Sequence, residues 1–182
     1  MEQPFLQTDR LSLHLWHDQD LDDLMELHSR PDVSRYLSRS GKPWTAEEAK
    51  DRMTGWMRDF GTFGIAKLKL LRRDDGRFLG RAGFSFFEEA SHFELGYSLA
   101  PEYWGRGYAT EIAGALAWHF FKLNLGDNFI AFAHVDNAAS LKVMERIGMR
   151  YDRTGPMNGL HCHVYSMHRR DIDAAVGRAE SA

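Results

Sequence analysis

Hydrophobic positions along this chain change their period several times, and each change marks an element. Leu11, Leu13 and Leu15 alternate with Ser12, His14 and Trp16, the two-residue period of a strand with one buried face. Asp18 or Asp20 then stands ahead of Leu21, Leu24, Met25 and His28, a helical spacing stopped by Pro31. Thr45-Ala46-Glu47-Glu48 is a capping box, and it opens a helix with Ala49, Met53, Trp56, Met57 and Phe60 on one face. Strand-like runs over 63–71 and 78–86 flank Asp74-Asp75-Gly76, where Asp-Gly predicts a hairpin turn. A third run, 92–99, stops at Pro101. Ile112, Leu116, Phe120 and Leu123 then form a stripe on a helix over 110–123. Residues 128–135 read as a buried strand, and 138–147 as a short helix that Gly148 ends. Residues 149–153 and 161–168 read as two final strands. The domain spans 1–170, and a polar, Ala-rich tail follows over 171–182.

This order lacks the strict strand–helix alternation of a doubly wound nucleotide fold, and it has no internal repeat. It predicts a single α+β domain built on a mixed sheet. The 182 residues, 43% hydrophobic and 13% aromatic, suffice for one sizeable core, and no linker-like stretch divides them. The 23 basic and 26 acidic residues leave a net charge of −3 with no basic stripe, which argues against a nucleic-acid surface. Cys162 stands alone, so an intrachain disulfide and a multi-cysteine zinc site are excluded. The N-terminus lacks a signal-peptide pattern and no apolar run approaches the roughly 20 residues that span a bilayer, so a cytoplasmic protein without membrane partners is expected.

The stretch with the most chemistry is Trp104-Gly105-Arg106-Gly107-Tyr108-Ala109-Thr110-Glu111, between the third strand and the long helix. Gly105 and Gly107 permit positive φ and leave no side chain over the backbone, so successive N–H groups can converge on an anion. The helix start adds unpaired N–H groups and the positive end of its dipole, and a phosphate is the natural guest. A dinucleotide-type reading of Gly105-x-Gly107 is disfavoured, because Thr110 stands at the third glycine position and the element order is wrong.

Three motifs resemble the GCN5-related N-acetyltransferase superfamily, and within it the ribosomal-protein-alanine acetyltransferase-like (RimJ/RimL-type) branch. They are Glu94-Leu95-Gly96-Tyr97-Ser98-Leu99 with Pro101 to Glu111, Asn137-Ala138-Ala139-Ser140 running into Glu145-Arg146-Ile147-Gly148-Met149, and the opening Thr8-Asp9-Arg10-Leu11. The likeness covers about residues 5–170. It implies a mostly antiparallel, splayed mixed sheet flanked by helices, and transfer of an acetyl group from acetyl-CoA to a primary amine in a ternary complex. It implies that the main chain of Ser98 and Leu99 pairs with the pantetheine arm. The backbone of Gly105, Arg106, Gly107, Tyr108, Ala109 and Thr110 would hold the pyrophosphate, Trp104 would also contact the cofactor, and Asn137 would meet the pantetheine amide.

For the chemistry the resemblance offers several groups. Glu94 is a candidate general base or a binder of a cationic acceptor, and His134, ending its strand near the acetyl position, is a second candidate base. Ser140 reaches toward sulfur as cofactor contact and proton donor, or the thiolate leaves unassisted. Relatives often carry a tyrosine where this chain has Met144, which cannot donate a proton. Asn-x-x-Ser is equally good helix-capping chemistry. Tyr36, Trp44 and Trp56 fall in the region that shapes the acceptor pocket in relatives. The acceptor is a protein N-terminus or a small amine, and relatives include monomers and homodimers. A non-catalytic acyl-CoA-binding sensor is the alternative. His161 and His163 share a strand face but have no defined third ligand, so no metal is expected.

Overall fold

The computed structural model describes residues 3–37 and 40–172. Its strands are β1 (Leu6–Gln7), β2 (Leu11–His14), β3 (Lys67–Arg72), β4 (Phe78–Phe87), β5 (His92–Leu99), β6 (Asn128–His134), β7 (Arg150–Met157) and β8 (Leu160–His168). Its helices include α1 (Leu21–Ser29), α2 (Pro31–Ser34), α3 (Ala46–Phe63), α4 (Tyr108–Lys122) and α5 (Ala138–Arg146). The strands form one sheet in the order β1-β2-β3-β4-β5-β6-β8-β7. Every neighbouring pair is antiparallel except β5–β6. The mixed α+β architecture matches the expectation from the element order.

α4 seats the core. Its Ile112, Leu116 and Phe120 are fully buried, and Phe120 meets Phe84 of β4 and Phe129 of β6 with ring centroids 4.8 Å and 5.1 Å away. Leu123, expected to continue this stripe, is 42% exposed, because α4 ends at Lys122 and Leu123 is the capping residue beyond it. Thr45 and Glu48 form the expected capping box at the start of α3. That helix continues to Phe63, where a strand had been expected. Gly64 (φ 69°) closes it, its backbone N–H donating to the Phe60 carbonyl, and β3 begins only at Lys67. β7 runs to Met157, well past the expected 153, and turns into β8 through Asn158 (φ 50°) and Gly159 (φ 73°). Both residues take the left-handed conformation that a tight Asn-Gly hairpin requires. A helical turn begins at 169, and the expected tail lies from residue 173 onward outside the described residues. Among the described residues no helix is long and apolar enough to cross a membrane.

The feature that positions the site is the junction of the two parallel strands. β4 and β5 pair along their length, from Gly80↔Leu99 to Phe87↔His92, whereas β5 and β6 share the single register pair Glu94↔Ile130. Beyond it no register pair joins Leu95–Leu99 to Ala131–His134, which leaves a cleft in the ladder between them. Because the strands are parallel, both end at the same edge of the sheet, and α4 and α5 begin just after those ends. Two helix N-termini therefore stand at the mouth of one cleft, the usual place for ligands in sheets with parallel strands.

Candidate active site

Gly105 (φ 72°) and Gly107 (φ 78°) both adopt the left-handed conformation, and Gly107 is the N-cap of α4. A Cβ at Gly105 would meet nothing within 4 Å, so the loop backbone stands open to a guest. The first amides of α4 have no partner within the helix, which leaves donors at the loop. Trp104 is half-exposed, yet its indole N–H donates to the Leu99 carbonyl at 2.7 Å and ties the loop to the end of β5.

A brace from the N-terminal segment holds the other side. Arg10 donates to Glu111 through Nε at 2.6 Å and to the Arg106 carbonyl through Nη1 at 3.0 Å, and its guanidinium lies 4.6 Å from the Tyr108 ring centroid. The Thr8 hydroxyl donates to Glu111 Oε1 at 2.6 Å, and the Arg10 amide donates to the same oxygen at 3.0 Å. Thr8-Asp9-Arg10-Leu11, a family-like opening in the sequence, is physically the support of the glycine loop.

Across the cleft, Asn137 caps α5 by accepting the Ser140 amide on Oδ1 at 3.2 Å, which leaves its Nδ2 amide as the end that can meet a ligand. Tyr97 of β5 donates its hydroxyl to the Ser140 carbonyl at 3.1 Å and bridges β5 to α5. Burial raises its phenol above the ordinary range and keeps it protonated. His134 accepts the Asp136 amide on Nδ1 at 3.2 Å, and Tyr36 stacks on its ring at 5.3 Å. The Asp136 carboxylate lies 3.6 Å from the same ring nitrogen. Met144, where a tyrosine stands in many relatives, is packed in the core.

Behind the cleft lies a buried charge cluster. Glu94, 8% exposed, accepts a bond from Lys67 Nζ at 2.5 Å. Register explains the reach: Lys67 stands opposite Gly83, and Gly83 opposite Gly96. The lysine stem crosses a glycine row, and a Cβ at Gly96 would lie 2.8 Å from Lys67 Cε. Burial lowers the pKa of Lys67, the Glu94 charge opposing that shift. On the same sheet face, Arg81 pairs across from Ser98 and donates through Nε to His28 Nε2 at 3.1 Å. The His28 ring stacks on Trp44 with centroids 3.5 Å apart, and Arg81 also lies 5.0 Å from the Trp56 ring centroid. Nearby, Asp20 does not cap α1 through its side chain; it accepts from the His17 amide and from Lys69 at 2.6 Å.

The structure thus gathers the expected residues into two groups. Ser98 and Leu99 end β5, His134 ends β6 with Tyr36 stacked on its ring, the 104–110 loop leads into α4, and Asn137 and Ser140 start α5. Trp44 and Trp56 belong with the buried cluster, to which Glu94 contributes its carboxylate. Lys67, Arg81 and Tyr97 were not singled out in the sequence. The available signal was a charged residue inside each strand-like run, Lys67 ahead of Leu68 and Arg81 within the stretch 78–86. His163 is engaged by Thr154 at 2.6 Å, and among the described residues no three His, Cys, Asp or Glu side chains gather as a metal site.

A sheet that splays at its parallel pair, with a glycine loop and two helix starts at the opening, defines an acetyltransferase of the GNAT class. Residues 10–150 match the model of the acetyltransferase (GNAT) domain, the RimJ/RimL-like family, and the chain belongs to that family as an N-acetyltransferase. It is similar to the N-acetyltransferase p20 of Bacillus licheniformis, with 28% identity over 80% of this chain and 82% of that protein. An acetyltransferase from Agrobacterium tumefaciens str. C58 superposes with a TM-score of 0.78 at 27% identity, over 93% of this chain and 96% of that one. The ribosomal L7/L12 alpha-N-protein acetyltransferase RimL, solved with coenzyme A, shares the fold with a TM-score of 0.76 at 16% identity, over 91% of this chain and 98% of its own.

Proposed function

We propose that this chain transfers the acetyl group of acetyl-CoA to a primary amine, by direct attack within a ternary complex. The observation that carries the reading is the pair of left-handed glycines at the start of α4, placed at the mouth of the β5–β6 cleft. Amides of 105–110 hold the pyrophosphate there, and the positive end of α4 favours its charge. The main chain at Ser98 and Leu99 pairs with the pantetheine arm, and Asn137 meets its amide through Nδ2.

In the reaction a C–N bond forms at the thioester carbonyl, the C–S bond breaks, and the amine loses one proton. Glu94 receives that proton through water, a role supported by its place at the hinge of the cleft. Lys67 holds the carboxylate in place. Ser140 is the group nearest in role to the departing sulfur, since Met144 carries no proton to give. The acceptor is a protein N-terminal amine or a small-molecule amine.

Calorimetric titration of acetyl-CoA into wild type and Gly107→Glu tests the reading. A side chain at φ 78° strains the loop, and a carboxylate repels the pyrophosphate. Saturable binding by wild type, weakened more than about tenfold in a folded variant, is the expected result. A folded wild type that binds no acetyl-CoA overturns it.

A further inference from the structure

The cluster behind the cleft holds hydrogen-bond donors without acceptors. Arg81 is 5% exposed, and of its five N–H groups one is spent on His28 Nε2. Because Nε2 accepts, the neutral His28 ring carries its proton on Nδ1. That nitrogen is buried and has no partner among the described residues, and the same is true of Trp44 Nε1. The two rings are stacked within 12° of parallel, so both orphan donors belong to one stack beside the guanidinium.

The charges tell the same story. Among the described residues no carboxylate lies within ion-pair distance of Arg81; Glu94 is taken by Lys67 and Asp20 by Lys69. Burial lowers the Arg81 pKa to about 10, the Glu94 charge opposing that shift and the Arg52 charge adding to it. Aromatic faces at Trp56 and Trp44 offset the charge but accept no N–H bonds in the ring plane. A buried guanidinium with free donors calls for a planar, doubly accepting anion, and a carboxylate is that group.

We propose that the acceptor amine bears a carboxylate, held by Arg81 with the ring N–H groups of Trp44 and His28. This rests on the acetyl-transfer reading and narrows it to free amino acids or close analogues, since a protein N-terminus has an amide where an amino acid has its carboxylate. Location supports it: Arg81 stands directly across from Ser98, the β5 residue whose main chain is assigned to the pantetheine arm. Solvent reaches the cluster at the Lys67–Glu94 pair, whose side chains are 14% and 11% exposed.

The test is acetyl-CoA turnover, read as thiol release, on matched pairs of free amino acids and their C-terminal amides. The acids are expected to exceed their amides by about tenfold or more in kcat/KM. Trp44→Phe removes the indole N–H together with the pyrrole part of the stacked ring; it should raise KM for the acids by about five- to tenfold and lower the acid-to-amide ratio, with acetyl-CoA affinity unaffected. Arg81→Gln should erase the preference. A purely structural cluster would lower stability in these variants and leave the acid-to-amide ratio alone, which overturns the proposal. Equal or better use of the amides, or no acceptance of any free amino acid by a protein that binds acetyl-CoA, overturns it and spares the acetyl-transfer reading. A wild type that binds no acetyl-CoA removes both.

Discussion

At the residue scale, burial decides which protonation states the cluster can hold. His28 is fully buried, and burial, with the Arg81 and Arg52 charges adding to it, pushes its pKa down to about 2. The ring is neutral in the folded protein, while in the unfolded chain it binds a proton below about pH 6.5. A lowered folded pKa gives stability that is complete above the unfolded value and is lost as pH falls toward the folded one. Between pH 7.5 and pH 5.5 this single group should remove about 1.4 kcal/mol of stability. Urea unfolding of wild type and His28→Gln at both pH values checks it; equal pH dependence in the two proteins would refute the assignment. Glu94 and Lys67 obey a related rule. Each is tolerable inside only because the other is there, and the bare Gly96 Cα beneath them provides the room.

Elements turn these residues into a site through their ends. The loop before α4 is held by Trp104 on one side and by the Arg10–Glu111–Thr8 group on the other, so a segment far away in sequence controls its shape. Glu111 also lies in the first turn of α4, where a negative charge favours the helix but competes with a phosphate for the same positive end. Arg10 and Thr8 hold that carboxylate in hydrogen bonds. Glu111→Gln weakens the brace while removing the competing charge, and the brace is the larger effect because three bonds converge on that carboxylate. The expected outcome is a roughly fivefold rise in the acetyl-CoA Kd with about 1 kcal/mol of lost stability. An unchanged Kd by calorimetry would mean that the glycine loop keeps its shape unaided.

Over the whole molecule, function depends on one interrupted pairing. An unbroken β5–β6 ladder would occupy the main chain proposed to pair with the pantetheine arm, and Glu94↔Ile130 marks where the ladder stops. Hydrogen exchange should accordingly show acetyl-CoA protecting amides in 95–99 and 105–110, with β7 unaffected; protection spread evenly over the sheet would argue against binding in the cleft. Much of this was legible in the chain itself. The stripe Ile112–Leu116–Phe120, the Thr45–Glu48 box and the glycine loop are local patterns, dictated by residues a turn or a strand apart, and they appear where periodicity and capping place them. Gly64 and Asn158-Gly159 carried local signals as well, and they set the end of α3 and the β7–β8 turn. What no local pattern contains is the company a side chain keeps across strands. Lys67 meets Glu94 because register lines up Lys67, Gly83 and Gly96, and Arg81 meets His28 because α1 packs over β4. The sequence by itself determined the elements, the glycine loop and the family, all of which depend on short-range order. Only the tertiary structure decided which charges are buried, which are paired and which donors are left over, because those depend on distances between residues dozens of positions apart.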